Sequence, residues 1–391
     1  MAPMEIYINA LASFLPNAPV DNDHIEEVLG RVGDLPSRTR RRILANNKIL
    51  TRHYALDPDT GAQTHNNAQL TAEAVRRLRP HNGFNPSHIE CLCCGTASPD
   101  LLMPGHGVMV AGELGLPPCD VVTTAGICVA GITALNYAAM NVLSGTVANA
   151  VATGSELASS YMRAGFFNCP PQPEADLHKS PVLGFDADFL RWMLSDGAGA
   201  AYLSSQANPE RPCYRLEWIE NRCYAGELAT CMYAGGRKLE DGTMHGWRDR
   251  ATVAEAAEDN LFAVRQDVKL LDRYIVSTAM ADTLPAVAEK RGLRPENIQW
   301  YLPHYSSDYF RDRFYQGMKE AGFAIPYEKW FTNLPTVGNI GSASIYLMME
   351  ALLASGRLRH GDKVLCFIPE SGRFTHCFML LTAIVPGGVH R

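Results

Sequence analysis

The sequence predicts an α/β protein built from two copies of one βα unit, each copy placing a wholly apolar helix in a shared interior. Three observations carry this. First, Asp120 to Glu156 (DVVTTAGICVAGITALNYAAMNVLSGTVANAVATGSE) reads as strand, tight turn, apolar helix closed by Ser144-Gly145, and strand. Second, segments of the first half recur in order in the second. Asn85-Pro86-Ser87-His88-Ile89-Glu90 resembles Arg294-Pro295-Glu296-Asn297-Ile298-Gln299 at an offset of 298 − 89 = 209. Cys128 and its helix match Asn339 and the helix ending at Ser355-Gly356 at 339 − 128 = 211, and the strand VANAVATGSE after the first helix corresponds to DKVLCFIPES after the second. Third, helices apolar all round must be buried, which places the two central helices together between two sheets. The halves are expected at 1–205 and 206–391.

Taken in order, Met4 to Leu11 (MEIYINAL) alternates like an opening strand. A helix through Ile25, Val28 and Leu29 follows, with Asp21 or Asn22 as its N-cap. Ser37 to Arg42 (SRTRRR) reads as a solvated basic face, Ala68 to Leu78 as a helix, and Ile89 to Cys94 as a buried strand. After the central unit, Tyr161 to Arg191 is Pro-rich, aromatic and irregular, which suits an excursion over a site. MLSDGAGAAYLSS is a turn and strand closing the first half. Cys213 to Arg250 reads as irregular, Ala251 to Leu271 as one helix and Asp282 to Lys290 as another.

Composition narrows the function classes. The chain has 391 residues, 47% hydrophobic and 19% charged, with a net charge of −6 and no basic tail, which argues against a nucleic-acid partner. No run of 18 apolar residues and no charged, then apolar, leader is present, so a cytoplasmic protein with no membrane partner is expected. Eleven cysteines without a disulfide rhythm fit a reducing compartment. Cys91-Leu92-Cys93-Cys94 lacks a second ligand pair at zinc spacing, and no metal is expected there.

If the halves superpose, three groups converge where the central helices meet. Cys128 sits at the start of one helix, where free N–H groups and the helix dipole favour a thiolate. Asn339 stands at the start of the other, and His304 ends the strand Leu302-Pro303. Cys, His and Asn together suit acyl transfer, in which the thiolate attacks a thioester carbonyl. The amide of Cys128 and that of Gly372, in the turn Glu370-Ser371-Gly372-Arg373, would hold the oxyanion, while His304 and Asn339 donate to a thioester oxygen that becomes an enolate.

These motifs resemble a known family. AGICVAG around Cys128, SDGAGAAYL from Ser195, LPHYSS around His304, VGNIGSAS around Asn339 and ESGRFTH at 370–376 are similar, in order from about Met4 to Ile384, to the β-ketoacyl-acyl-carrier-protein synthase III branch of the thiolase superfamily. The resemblance implies a five-layered αβαβα fold of two duplicated halves and a homodimer. It also implies a Claisen condensation between an acyl group on Cys128 and a nucleophile made from a malonyl or β-ketoacyl thioester. No cofactor is implied beyond the substrates, thioesters of coenzyme A or an acyl carrier protein. Housekeeping initiators carry a GGG turn and a Thr-Gly-Ile segment where Ser371-Gly372-Arg373 and Asn47-Lys48-Ile49 stand here. NNKILTRHYALD and CCGTASPDLLMPGHG are closer to ketosynthases of specialised metabolism that join two β-ketoacyl chains and cyclise them to alkylresorcinol precursors.

Carrier proteins are acidic, so Arg311, Arg313 and Lys319, and the run Arg38 to Arg42, are the docking residues to consider beside a plain solvated face. Two other readings keep the fold: O- or N-acyl transfer, and a non-catalytic partner subunit of an active ketosynthase.

Overall fold

In the computed structural model, residues 5–32, 37, 39–167 and 189–387 are described, so Arg38 and most of the Pro-rich excursion lie outside the described residues. Nine strands make one hydrogen-bonded sheet: β1 (Ile6–Phe14), β2 (Cys91–Thr96), β3 (Asp120–Ala125), β4 (Asn149–Glu156), β5 (Gly197–Ser204), β6 (Cys213–Cys223), β7 (Trp300–Pro303), β8 (Lys363–Glu370) and β9 (Thr375–Ile384). Their spatial order is β7-β8-β9-β6-β1-β5-β4-β2-β3. On one side β2 runs parallel to β4 and β4 antiparallel to β5, which pairs with β1. On the other, β7 runs parallel to β8 and β8 antiparallel to β9, which pairs with β6. The two arrangements repeat one another. Where two separate sheets were expected, β1 and β6 join them through a short antiparallel seam, Ile6 to Leu216, Tyr7 to Arg215 and Ile8 to Tyr214.

Alternation along the strands sorts side chains into layers. Cys91 and Cys93 of β2, and Val364, Cys366 and Ile368 of β8, face a central core that also holds α5 (Ala130–Leu143) and α9 (Ser344–Ala354). Leu92 and Cys94 turn outward onto α3 (Asn67–Arg76) and α4 (His106–Leu114). Leu365 and Phe367 turn outward onto α6 (Val268–Val276), α7 (Leu284–Arg291) and α8 (Arg311–Glu320). Helix, sheet, helix pair, sheet, helix is the five-layered α/β fold that the resemblance implied. β1 serves two layers: a register shift between Ile8 and Ala10 sends Ile6 and Ile8 to the central core but Ala10 and Ala12 to the outer one.

Several local expectations are corrected. The opening strand is Ile6–Phe14, shifted toward its apolar end. The first helix, α1 (Ile25–Leu29), starts after His24, because Asp21 accepts from the backbone N–H of Asp23 and His24 instead of capping it. The basic run is partly the start of α2 (Arg40–Asn47), and Arg40 is no free surface charge: its guanidinium lies 5.7 Å from the Trp192 ring and pairs with Glu26. Cys213–Cys223 is a strand, not an irregular segment. The stretch from Ala251 to Leu271 is broken into Val253–Glu258, the short strand Arg265–Gln266 and the start of α6. Among the described residues no helix is long and apolar enough to cross a membrane.

Candidate active site

The central strands end at one place. There β3 gives way to the turn Gly126–Val129, β7 delivers His304, β4 ends at Glu156 and β8 at Glu370, and a loop before α9 carries Asn339. A cavity of ≈ 600 Å³ opens among them, lined by Cys128, His304, Asn339, Glu156, Glu370 and Gly372. Its deeper wall is apolar: Met162, Leu190 and Met193 on one side, Leu271, Ile275, Phe310 and Phe314 on the other.

Cys128 lies two residues before α5, whose N-cap is Val129, so it belongs to the turn and not to the first helical residue. The expected thiolate is also corrected. Burial pushes the Cys128 thiol well above its ordinary value, and the carboxylates of Glu370 and Glu156 add to the rise. Burial therefore favours the thiol form of Cys128 over the thiolate.

His304 continues the β7–β8 ladder through its N–H to the Phe367 carbonyl at 2.8 Å. Its ring is 3% exposed, and desolvation pushes its pKa down to about 4, so the imidazole is neutral at neutral pH. A neutral imidazole can donate one hydrogen bond without carrying a charge into the cavity.

Asn339 is pinned from both sides: its N–H donates to Met193 O at 3.0 Å and its carbonyl accepts from Ser195 N at 2.9 Å. Its Oδ1 accepts from Gly341 N at 2.9 Å, which assigns the amide and leaves Nδ2 as donor on the cavity side. The preceding Gly338 has φ +74°, and a Cβ there would lie 2.9 Å from Cβ of Ser195, so only glycine lets the loop pass. Asn339 stands before α9 with a 3₁₀ turn between, not at the helix start itself.

Gly372 lines the cavity, and its carbonyl is occupied by the Cys231 N–H at 2.8 Å. Cys231 immediately precedes a short two-stranded ribbon, Met232–Tyr233 against Arg265–Gln266. The three residues considered for docking all lie on α8, whose Phe314 reaches the cavity. Arg313 pairs with Asp272, Arg311 stacks 4.3 Å over Tyr327, and Lys319 lies 4.6 Å over Tyr315. Among the described residues no His, Cys, Asp and Glu cluster could hold a metal ion.

Sequence reasoning passed over Glu156 and Glu370. Glu156 accepts from Ser342 N at 3.2 Å and Ser98 Oγ at 2.8 Å, and burial pushes its pKa up to about 7. Glu370 accepts from Ile127 N and Val129 N, each at 3.0 Å. They end equivalent strands, β4 and β8, and each grips the turn of the opposite half. The one signal for them was the repeat itself, which aligns VANAVATGSE with DKVLCFIPES.

Comparison with known proteins gives the same direction. Residues 288–373 match the family model for the C-terminal part of 3-oxoacyl-[acyl-carrier-protein] synthase III. A curated β-ketoacyl-[acyl-carrier-protein] synthase III of Sphingopyxis alaskensis is 25% identical over 361 residues, 91% of this chain and 92% of that protein. Among solved structures, the tetronic acid condensing enzyme AbyA1 is similar with a TM-score of 0.71 at 21% identity, covering 96% of this chain and 99% of that one. An OleA variant of Xanthomonas campestris with bound lauric acid and lauroyl-CoA is similar with a TM-score of 0.72 at 20% identity, covering 97% and 99%.

Proposed function

We propose that this chain is a condensing acyltransferase of the β-ketoacyl-acyl-carrier-protein synthase III-like branch of the thiolase superfamily, and that Cys128, His304 and Asn339 carry its Claisen condensation. In the first step the Cys128 sulfur attacks a thioester carbonyl as its proton passes to the departing thiol. The amides of Cys128 and Gly372 receive the transient oxyanion. In the second, His304 and Nδ2 of Asn339 donate to the carbonyl oxygen of a second thioester. Loss of carbon dioxide from a malonyl thioester, or of the α-proton from a β-ketoacyl thioester, leaves the enolate so stabilised; its carbon attacks the acyl carbon, and the Cys128 sulfur leaves and takes up a proton. The observation that carries this reading is that the three groups line one cavity together with a set of apolar side chains that includes Met162, Leu190, Ile275 and Phe314.

We propose fatty-acyl or β-ketoacyl donors on coenzyme A or an acyl carrier protein, and a role in specialised metabolism of the alkylresorcinol kind. A cavity of ≈ 600 Å³ is in the range that encloses a drug-sized ligand and far exceeds a two-carbon starter. The lauroyl-CoA of the similar OleA structure and the condensing role of AbyA1 support the same class of chemistry. A homodimer is part of the proposal. Among the described residues β3 is the sheet's outermost strand, with one edge unpaired, and Leu102 and Met103, in the loop between β2 and α4, are 76% and 75% exposed. An open apolar edge of this kind is normally covered by a partner.

Intact-protein mass spectrometry after mixing with a panel of acyl and β-ketoacyl thioesters tests the reading. An adduct present in wild type and absent in Cys128→Ala is expected, and its mass names the donor. With no adduct from any donor, the partner-subunit reading replaces this one. If an adduct forms but discharges only to alcohols or amines, O- or N-acyl transfer does.

A further inference from the structure

Glu370 ends β8 with its side chain turned into the opposite half of the molecule. One carboxylate oxygen, Oε2, accepts both the Ile127 N–H and the Val129 N–H at 3.0 Å, the two amides that flank Cys128. The amide between them is that of Cys128, whose N–H interacts with its own sulfur. A turn held on both sides of one residue has little freedom left at that residue, so the direction of the Cys128 N–H is set by the carboxylate.

The same carboxylate places an anion against the nucleophile. The titratable groups around Cys128 in the cavity are Glu370 at the end of β8, Glu156 at the end of β4, His304 after β7, and the tyrosines Tyr161, Tyr233 and Tyr305. Arg373 is the only lysine or arginine among the described residues lining the cavity, and it is exposed, with its guanidinium donating to the Leu228 carbonyl at 3.0 Å. His304 is neutral, so among the described lining residues no buried cation offsets Glu370 and Glu156, whose own carboxyls burial pushes upward.

We propose that Glu370 is a positioning residue for the nucleophile turn: it fixes the Cys128 amide for the oxyanion and holds the sulfur as an unreactive thiol until a thioester is bound. The proposal rests on the reading of Cys128 as nucleophile. The consequence is protection. A thiol reacts with soluble electrophiles far more slowly than a thiolate, so the empty site is shielded while the docked thioester, held by the oxyanion donors, still reacts.

Two variants separate the roles. Glu370→Gln keeps a single oxygen able to accept both N–H bonds but removes the charge. Glu370→Ala removes both. The pH dependence of Cys128 alkylation by iodoacetamide, read by mass spectrometry, needs no substrate. Glu370→Gln is expected to alkylate about tenfold faster at pH 7, with its profile displaced to lower pH. Glu370→Ala is expected to lose about 10²–10³ in kcat with the fitted KM little changed. Superimposable alkylation profiles for wild type and Glu370→Gln overturn the proposal, even if Glu370→Ala does not fold. Failure of wild-type Cys128 to take an acyl group would instead remove the functional reading and leave the alkylation comparison standing.

Discussion

The hydroxyl of Tyr346 donates to the carbonyl of Gly131 at 2.8 Å, tying α9 to the first turn of α5 inside the central layer. The bond lies just behind the Cys128 turn, and both residues are buried. Tyr346→Phe keeps the ring and removes the donor. Chemical denaturation is expected to show a loss of about 1 kcal/mol, the usual net worth of a buried hydrogen bond. An unchanged midpoint would mean that ring packing alone holds the helices together.

Stability against pH is set by groups of opposite sign. The Glu156 carboxyl is pushed up from 4.5 to about 7 in the folded chain, so its contribution is present at low pH and is lost as pH rises between those values. His106 and His304 are pushed down from 6.5 to about 4 and His376 to about 3, each by desolvation. The unfolded chain therefore binds more protons at these three positions, and their contribution grows as pH rises toward 6.5. Glu156→Gln removes one falling contribution. Its denaturation midpoint is expected to climb more steeply from pH 4.5 to 6.5 than that of wild type, and parallel curves would refute the assignment.

On α8, Arg311 and Arg313 differ in what they hold. Arg313 is neutralised by Asp272, whereas Arg311 meets only the Tyr327 ring among these contacts. Charge reversal at Arg311 is expected to raise KM for a carrier-protein thioester roughly fivefold, the effect of about 1 kcal/mol from a rim charge, and to leave KM for the coenzyme A thioester unmoved. Arg313→Glu sets two carboxylates together and is expected to act on stability. Equal KM values for both donors in Arg311→Glu and wild type would remove α8 from the docking proposal.

The layered fold was legible because it is written twice. The apolar helices that start near Cys128 and Asn339 and end at Ser144-Gly145 and Ser355-Gly356 lie where the repeat puts them, since a helix with no polar face has nowhere else to go. β6 was missed because only its start is buried: CYRLEWIENRC carries four charged residues and ends exposed, so no apolar face announces a strand. The helix start was misjudged by two residues because α5 has no side-chain cap to mark it. Glu156 and Glu370 were illegible for another reason. Their partners Ser342 and Ile127 lie 186 and 243 positions away, and local pattern carries no information about contacts of that span.

The reciprocal reach of those two carboxylates has the form of an isologous contact, in which each side offers the other what it receives. Between two identical chains such a contact would repeat every position about a two-fold axis, and both sides would have to carry the same residues. Two copies within one polypeptide are released from that rule. Cys128 stands on one side of the pseudo-axis and Asn339 on the other. Under the proposed roles, the chain divides labour across its own symmetry, with one half presenting the atom that forms the bond and the other the groups that steady the charge.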